Sequence, residues 1–473
     1  MTNMPQLPRV ITARLGLVLL GCLTVAAAGG PERDSVPTDP PGAVHRDTDS
    51  SPLMNFLTRD YLLGDWGGLR STLSRHGVDF EFLYLASMPW NLSGGIRPGG
   101  VYEGGLLMAL DLDSKRLLNY EGGTLHAGSL WLHGEDHFSD NHIGDLNKVN
   151  LIDFPNAFRL WELWYEQKFL DNRVSLRLGQ MVVDRDFIVP EFYNSIASVT
   201  FLNQTFFYPT MAFNVWDVPG FPPGHHGLAS TPYGAPGVRL RVDPTDWLYV
   251  QAGVYDGLPD TRSPGTRVNL NEDEGALIYF EFGIRMNQGT NDTGLPGNLK
   301  LGGYYHTDDF VDNYAYITTG SPSYHSGNYG AYFLADQVLY REVGKDDPAG
   351  QGLVGFFRFA VAPPDRNLAQ FGVDGGLVYK GLIPKRDYDT FGIAWSYLEM
   401  SHDISQGQRD VNAFFPGYFP AIADYEAVVE ANYRAQLSAW WALEASVQRP
   451  MHPGGSAAIR DAWVFILMST LRF

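Results

Sequence analysis

From position 78 to its end, the chain repeatedly alternates apolar and polar residues with a period of two, the pattern of β-strands. In one segment, Ile278, Phe280 and Phe282 alternate with Glu281 and Arg285. The same alternation occurs in residues 160–168, 173–180 and 425–434. Beyond the first 28 residues, no apolar run reaches the roughly 18 residues that a transmembrane helix needs. The sequence therefore predicts an all-β fold.

The polar face of these strands bears on whether the fold is a membrane barrel or a soluble sandwich. A soluble β-protein turns its apolar face to the core, whereas a membrane barrel turns it to lipid and encloses the charged face. Glu, Arg and Lys recur on the second face here. Charged residues make up only 18% of the chain, which is rich in Gly (52), Phe (28) and Tyr (25). This composition fits a barrel, although a secreted β-protein shares it.

The first 28 residues have the three zones of a secretory signal peptide. Arg9 and Arg14 form the positive start, residues 15–25 the apolar stretch, and Ala26 to Ala28 a small-residue cleavage site. In an alternative interpretation, Cys22 is the acylation site of a lipoprotein. Cys22 is the only cysteine, so a chain cleaved after residue 28 has no disulfide.

The sequence predicts three regions: a signal peptide at 1–28, a disordered leader at 29–58, and a β-barrel at 59–473. The leader is rich in Pro, Asp, Ser and Thr and has no periodicity. A short helix is expected at 71–76, before Gly77. The formal net charge of -19 argues against a nucleic-acid partner.

The last segment of the chain alternates up to Phe473 and predicts a final strand that pairs with the first, which removes the exposed sheet edges. A terminal aromatic residue on the lipid side would lie at the membrane interface. Phe473 also resembles the signal that the bacterial barrel-assembly machinery recognises. Residues 59–473 provide about 26 residues for each of 16 antiparallel strands and its connection. We therefore predict a transmembrane barrel in the outer membrane of a Gram-negative bacterium.

Several motifs together resemble the carbohydrate-selective porins of the OprB type over nearly all of residues 59–473. They are Leu-Gly-Asp-Trp-Gly-Gly-Leu-Arg at 63–70, Glu-Leu-Trp-Tyr-Glu-Gln at 162–167, Leu-Gly-Gln at 178–180, Pro-Gly-Val-Arg at 236–239, Gly-Val-Tyr-Asp-Gly at 253–257, and Glu426, Glu430, Tyr433, Gln448, His-Pro-Gly-Gly at 452–455 and Phe473. The resemblance implies a 16-strand barrel with a sugar-selective constriction, through which monosaccharides such as glucose diffuse passively. It also implies a monomer surrounded by outer-membrane lipid and lipopolysaccharide, without a cofactor.

Charged and aromatic residues on the polar strand faces are the candidates for such a constriction. Carboxylates and guanidinium groups form strong hydrogen bonds with hydroxyl groups, and an aromatic ring can cover the apolar face of a pyranose. The predicted constriction and sugar-binding residues are Glu162, Trp164, Glu166, Arg177, Arg239, Glu281 and Arg285. Alternatively, these charges neutralise one another or hold a loop that folds into the lumen.

The sequence leaves three alternatives to a sugar porin. A non-selective or organic-acid-selective porin is the main alternative. A metal site is suggested by His133, His137, Asp140, His142 and Asp145, but a solvated loop is favoured because the strand context and Gly134 oppose a helix, so no metal is expected. A secreted glycoside hydrolase would need paired carboxylates, yet no catalytic motif is evident, and we predict no enzymatic activity.

Overall fold

The computed structural model describes residues 52–135, 137–192, 200–207, 229–261, 264–266, 275–289, 292–342 and 350–473. The predicted signal peptide and most of the predicted leader, residues 1–51, lie outside the described residues. Within the described ranges, a single antiparallel sheet contains 17 strands. One of these is the two-residue segment Gly99–Gly100, and the other 16 are long strands that form a closed ring.

The long strands are numbered β1 to β16 in chain order. They are β1 Val78–Gly95, β2 Glu103–Asp113, β3 Gly123–Gly134, β4 Ala157–Phe169, β5 Val174–Met181, β6 Ala235–Val242, β7 Leu248–Asp256, β8 Ala276–Met286, β9 Gly297–Val311, β10 Tyr324–Arg341, β11 Gly352–Val361, β12 Ala369–Lys380, β13 Thr390–Met400, β14 Tyr425–Ser438, β15 Trp441–Met451 and β16 Arg460–Arg472. The α-helices are α1 Pro52–Thr58, α2 Leu69–Arg75, α3 Ser114–Leu118, α4 Gln204–Phe207, α5 Asn313–Thr319 and α6 His402–Phe414.

The first and last strands close the barrel. Strand β1 pairs with β16 from Leu83 opposite Arg472 to Gly95 opposite Arg460, and with β2 on its other side. Every long strand therefore has two neighbours, and no long strand presents a free edge. The predicted 16-strand antiparallel barrel and its closure by the last strand are confirmed, and the predicted short N-terminal helix corresponds to α2.

The connections differ between the two ends of the barrel. The long ones, at 135–156, 182–234, 257–275 and 401–424, leave the barrel at the end where β1 finishes. The opposite end carries short turns such as 170–173 and 439–440. Outer-membrane barrels place long loops outside the cell and short turns in the periplasm.

The outer wall is apolar, as the alternation predicted. On β8, Phe280 and Phe282 are 48% and 50% exposed, whereas their neighbours Tyr279 and Glu281 are completely buried inside. Since the barrel interior is the polar side, the exposed rings face outward and form an apolar belt suited to lipid. Among the described residues, no helix is long and apolar enough to cross a membrane.

Segments of two long connections fold into the lumen and fill much of it. Phe138, Ile143 and Val149 of the connection after β3 pack against Val464 and Ile466 of β16. In the connection after β5, Phe187 and Ile188 pack against inward residues of β8 and β10, Tyr279 and Leu334. The inserted segments therefore form a buried core inside the barrel and narrow its lumen.

Trp161 departs from the predicted face assignment. The alternation placed Trp161 on the apolar face with Leu163. In the structure, Gly128 pairs with Glu162 and Ser129 with Leu160, so Trp161 is an extra residue in a β-bulge. It is only 1% exposed and packs inside the barrel with Leu130 and Val182. The prediction was wrong for Trp161 because a bulge shifts the period of two.

Glycines on the inner wall make room for tyrosine rings. Gly283 of β8 lies opposite Tyr249 of β7, and Gly302 of β9 lies opposite Tyr332 of β10. A Cβ atom at either glycine would collide with the facing ring. Tyr249 and Tyr332 both lie over neighbouring strands in this way, which positions their hydroxyl groups at Glu281.

Candidate functional site

Charged residues of three consecutive strands meet in the lumen. Glu166 of β4 lies opposite Arg177 of β5, which in turn lies opposite Arg239 of β6. Nη2 of Arg239 donates to Oε1 of Glu166 at 2.8 Å, and Nη2 of Arg177 lies 3.5 Å from Oε2 of Glu166. Ser175 donates a hydrogen bond to Glu166 and accepts one from Arg239 at 2.8 Å. The arrangement places two guanidinium groups on one carboxylate.

Asp186, in the connection after β5, lies against the same two arginines. Nη1 of Arg177 donates to both carboxylate oxygens of Asp186, at 3.0 and 3.1 Å, and Nε of Arg239 lies 3.5 Å from Oδ1. Gln251 of β7 fixes this point of the connection by donating to the main-chain oxygen of Asp186 at 2.6 Å. Both positive charges are thus compensated by two carboxylates, Glu166 and Asp186.

Trp164 lies between side chains of the strands on either side of it. Its ring is stacked with His126 of β3 at 4.7 Å, and Arg177 of β5 lies 4.1 Å from its centroid. The indole Nε1 donates to Glu162 at 3.3 Å. Nε of Arg185 also donates to Glu162 at 3.3 Å. The ring is held by these contacts, so its edge, rather than a free face, is the part available to a solute.

Glu281 and Arg285 of β8 belong to a second group in the lumen. Glu281 is completely buried and accepts hydrogen bonds from Tyr249, Tyr332, Gln251 and the backbone N–H of Ile188. With four donors, its two oxygens are saturated, which suits an anchor for the connection that contains Ile188.

The rest of the second group also consists of paired charges. Nη1 of Arg285 donates to Asp243 at 2.8 Å, and Arg241 donates to the same carboxylate at 3.0 Å. Lys300 of β9 lies 3.0 Å from Glu191. Burial opposes ionisation of Glu191, but the charge and hydrogen bond of Lys300, together with the charges of Arg285 and Arg241, outweigh it, so the pKa of Glu191 lies below its usual value. The side chain of Glu191 is 33% exposed, and this pair therefore reaches water.

Wall carboxylates elsewhere hold the inserted connections by their backbone. Glu430 of β14 accepts from the N–H groups of Leu202 and Asn203 at 2.8 and 3.0 Å. Glu426, on the same strand, accepts from those of Leu146 and Asn147 at 2.8 and 2.6 Å. Asp336 of β10 does the same for residues 191 and 192. Pairs of consecutive N–H groups on one carboxylate therefore fix both inserted connections to the wall.

The structure thus brings together five of the predicted residues and separates two. Glu162, Trp164, Glu166, Arg177 and Arg239 form one cluster, which we call the β4–β6 cluster; Glu281 and Arg285 lie in the second group. Gln251 links the two, because it donates to both Asp186 and Glu281.

Sequence reasoning missed the parts of the site that come from a connection rather than a strand. Arg185, Asp186 and Glu191 lie on the connection after β5, where no period of two applies. The only signal was the charged run at 184–186, directly after the apolar residues Val182 and Val183. His126 on β3 was also missed.

Four of the five candidate metal ligands, His133, His137, Asp140 and His142, have other contacts. His137 and Asp140 pair with each other at 3.0 Å, and His133 lies 3.2 Å from the hydroxyl group of Tyr84. His142 is buried and its Nδ1 lies 3.2 Å from the main-chain oxygen of Arg97. In the part of the chain that the structure describes, no group of three or more His, Cys, Asp or Glu residues is placed to hold a metal ion.

The fold and lumen define the class of protein. A closed 16-strand antiparallel barrel, apolar outside, charged inside and narrowed by inserted connections, is the architecture of an outer-membrane porin. The model of the carbohydrate-selective porin, OprB family matches residues 97–473, and the chain belongs to this family.

Curated relatives and a solved structure agree with this assignment. Porin B of Pseudomonas aeruginosa is 25% identical over 431 residues, which cover 85% of this chain and 89% of that protein. A putative porin of Acinetobacter baylyi, QuiX, is 26% identical over 441 residues, with 88% and 93% covered. The fold is similar to that of Pseudomonas putida OprB in its high-pH structure, with a TM-score of 0.76, 23% identity, and 88% and 99% of the two chains covered.

The family membership confirms three predictions made from the sequence. The chain is a sugar porin of the carbohydrate-selective type, it is a channel rather than an enzyme, and it resides in the bacterial outer membrane.

Proposed function

We propose that the barrel passes monosaccharides such as glucose by facilitated passive diffusion, and that the β4–β6 cluster selects them. The observation that carries this proposal is the juxtaposition of Glu166, Arg177, Arg239 and Asp186 beside Trp164 in a lumen narrowed by inserted connections. The cluster offers hydrogen-bond donors, acceptors and an aromatic edge at one level of the channel. The donors and acceptors are the groups that the hydroxyl groups of a pyranose require.

Charge compensation supports a neutral solute over an ionic one. Arg177 and Arg239 face Glu166 and Asp186, and in the second group Lys300 faces Glu191. An anion-selective channel would be expected to present guanidinium groups that lack carboxylate partners. A compensated cluster attracts neither ion strongly, yet it keeps hydrogen-bonding atoms in fixed positions for a hydroxyl group.

The same pairs make passage possible. Because each guanidinium is already hydrogen-bonded to a carboxylate, a sugar hydroxyl replaces water at a partly satisfied group and binds weakly. A selective channel needs this balance, since the solute must be recognised and then released. Glu281 and Arg285 contribute as supports: Glu281 anchors the connection that carries Asp186, and Arg285 fixes Asp243 at the turn after β6.

The surroundings of the barrel follow from its outer wall. The apolar belt would contact outer-membrane lipid and lipopolysaccharide, and one closed barrel contains a complete lumen, so a monomer suffices for transport. Strand β16, with Phe473 directly after it, would be the segment that the barrel-assembly machinery recognises during insertion.

Ion-current measurements on purified protein in planar bilayers test the substrate. Glucose added to one side should interrupt the current in a concentration-dependent manner, while a small organic acid at the same concentration should not. Block by the organic acid alone would support the alternative, an organic-acid-selective porin. Indifference to glucose and to every other monosaccharide would show that the proposal is wrong.

A further inference from the structure

The seam between β1 and β16 joins strands that are far apart in the sequence. All other pairs of neighbouring long strands in the ring are consecutive along the chain. Closing the ring therefore requires the largest loss of chain entropy, and an open seam would expose two unpaired strand edges. Residues 56–75 lie beside this seam at the end of the barrel that carries the short turns.

Arg70 of α2 contacts both sides of the seam. Its Nη1 donates to the main-chain oxygen of Phe80 on β1 at 3.0 Å, and its Nη2 donates to that of Phe473, directly after β16, at 2.5 Å. The residue is only 8% exposed. Its guanidinium lies 3.8 Å from the ring centroid of Tyr61 and 4.5 Å from that of Trp66. One side chain thus bridges the two sides of the seam. Along the sequence, Phe80 lies 10 positions from Arg70, whereas Phe473 lies 403 positions away.

Tyr61 and Leu62 strengthen the contact with β16. Arg472 lies 5.3 Å from the ring centroid of Tyr61, so this ring contacts a guanidinium from α2 and another from the last strand. The N–H of Leu62 donates to the main-chain oxygen of Arg472 at 2.8 Å. The last strand is therefore held by backbone and side-chain contacts together.

Further contacts extend to the strands on either side of the seam. Trp66 lies 6.2 Å from both Phe80 and Phe82 of β1. Trp440, in the turn between β14 and β15, donates to the main-chain oxygen of Phe56 at 3.1 Å and packs edge-on against its ring at 5.0 Å. Residues 56–70 therefore contact both seam strands and the turn before β15.

The Asp-Trp-Gly-Gly motif at 65–68 gives this segment its shape. Gly67 and Gly68 have φ of 71° and 94°, a region that residues with a side chain rarely adopt. The Asp65 carboxylate accepts from the N–H and the hydroxyl group of Ser71 at 2.8 and 2.5 Å. These bonds set the start of α2 and hence the direction of Arg70.

We propose that residues 56–75 form a clasp, a binding surface whose partner is the last strand of this same chain, and that the clasp keeps the barrel seam closed. It acts on the one strand pair whose closure the chain connectivity does not favour. The clasp is independent of channel selectivity and of the sugar that passes.

Hydrogen–deuterium exchange of the purified, folded barrel tests the clasp. Arg70→Ala should accelerate amide exchange in β1 and β16 by about 10-fold to 100-fold, the range expected when a charge-assisted hydrogen-bonding group is lost. Exchange in β8 and β9, across the barrel, should be unchanged. Arg75→Ala is the matched control. Arg75 lies on the same helix, its side chain is exposed, and it donates a hydrogen bond to Thr72 of that helix rather than to a seam strand.

Three outcomes overturn the proposal: equal exchange in the two variants, uniform acceleration around the barrel, or acceleration centred away from the seam. If Arg70→Ala does not fold, Arg70→Lys serves instead, because it keeps the charge but cannot donate to both strands in the same way. A smaller acceleration, again confined to β1 and β16, is then expected. An unchanged seam in Arg70→Lys together with a folded barrel would count against the clasp.

Discussion

Arg239 and Glu166 form an ion pair across the intervening strand β5, with Nη2 2.8 Å from Oε1 and side chains only 3% and 11% exposed. The pair passes beside Arg177, which interacts with the same carboxylate. A buried guanidinium and carboxylate are costly to separate, because the remaining charge would lack compensation in a medium of low polarity. The pair therefore fixes three strands at one level of the lumen.

Replacing one member of this ion pair by an apolar residue should destabilise the barrel more than replacing both members. Arg239→Met leaves Glu166 with Arg177 and Ser175 only, and we expect a loss of about 3 kcal/mol in the free energy of unfolding. The double variant Arg239→Met with Glu166→Leu should recover part of that loss. Urea unfolding in detergent measures both. If the free energy of unfolding lost in the double variant equals the sum of the losses in the two single variants, the two side chains do not act as a pair.

Arg177→Ala should weaken the interaction with glucose without preventing assembly. The variant removes a donor that faces both carboxylates and Trp164, and we expect about 10-fold weaker block of the ion current by glucose. Arg173→Ala is the control, since this residue lies in the turn before β5 and is paired with Asp246. Heat-dependent gel mobility checks barrel formation. Unchanged block in Arg177→Ala and in Glu162→Ala would place the sugar contact elsewhere.

Glu430→Gln should loosen the connection after β5. An amide keeps one acceptor oxygen but turns its NH2 group toward one of the two N–H donors, that of Leu202 or that of Asn203. We expect current fluctuations between conductance levels to become about 10-fold more frequent. Glu399→Gln is a suitable comparison, because Glu399 accepts from Gln370 of the neighbouring strand instead. Equally frequent current fluctuations in the two variants would show that Glu430 does not hold the connection after β5 in place.

Asp184 should make stability depend on pH. Burial raises the pKa of this carboxyl to about 6, although Thr231 donates to it through N–H and hydroxyl. The folded protein therefore binds the proton more tightly than the unfolded chain, and the associated stability is lost as the pH rises through about 6. The side chain of Asp184→Asn is neutral at every pH. This variant should therefore be more stable than the wild type above pH 6, and the difference in stability should disappear near pH 4. A pH-independent difference in unfolding free energy would contradict this.

The strands were predictable because their signal is local. In β8, an apolar residue at every second position is enough to assign Phe280 outward and Glu281 inward. The alternation also nominated Glu166 and Arg177 as inward residues of two adjacent strands, but it did not predict that they lie opposite each other. The closing role of the last strand was predictable from its alternation, whereas the contacts of Arg70 with it were not.

The remaining features depend on contacts that no local pattern encodes. Asp186 reaches Arg177 only because its connection folds into the barrel, and that path is set by distant carboxylates such as Glu281 and Asp336. The β-bulge at Trp161 reversed one face assignment, since a single extra residue changes the parity of a strand. Trp164 was predicted as an aromatic residue of the constriction, but its contacts with His126 on β3 and Arg177 on β5 could not be predicted from its own strand.

The concentration dependence of glucose flux tests the central claim most directly. Purified protein in liposomes should take up labelled glucose at a rate that rises and then saturates, because a selective constriction binds each sugar before releasing it. Arg177→Ala should shift saturation to higher concentration. A rate that stays proportional to glucose concentration in the wild type, and equals that of an unrelated neutral solute of the same size, would contradict a sugar-selective channel.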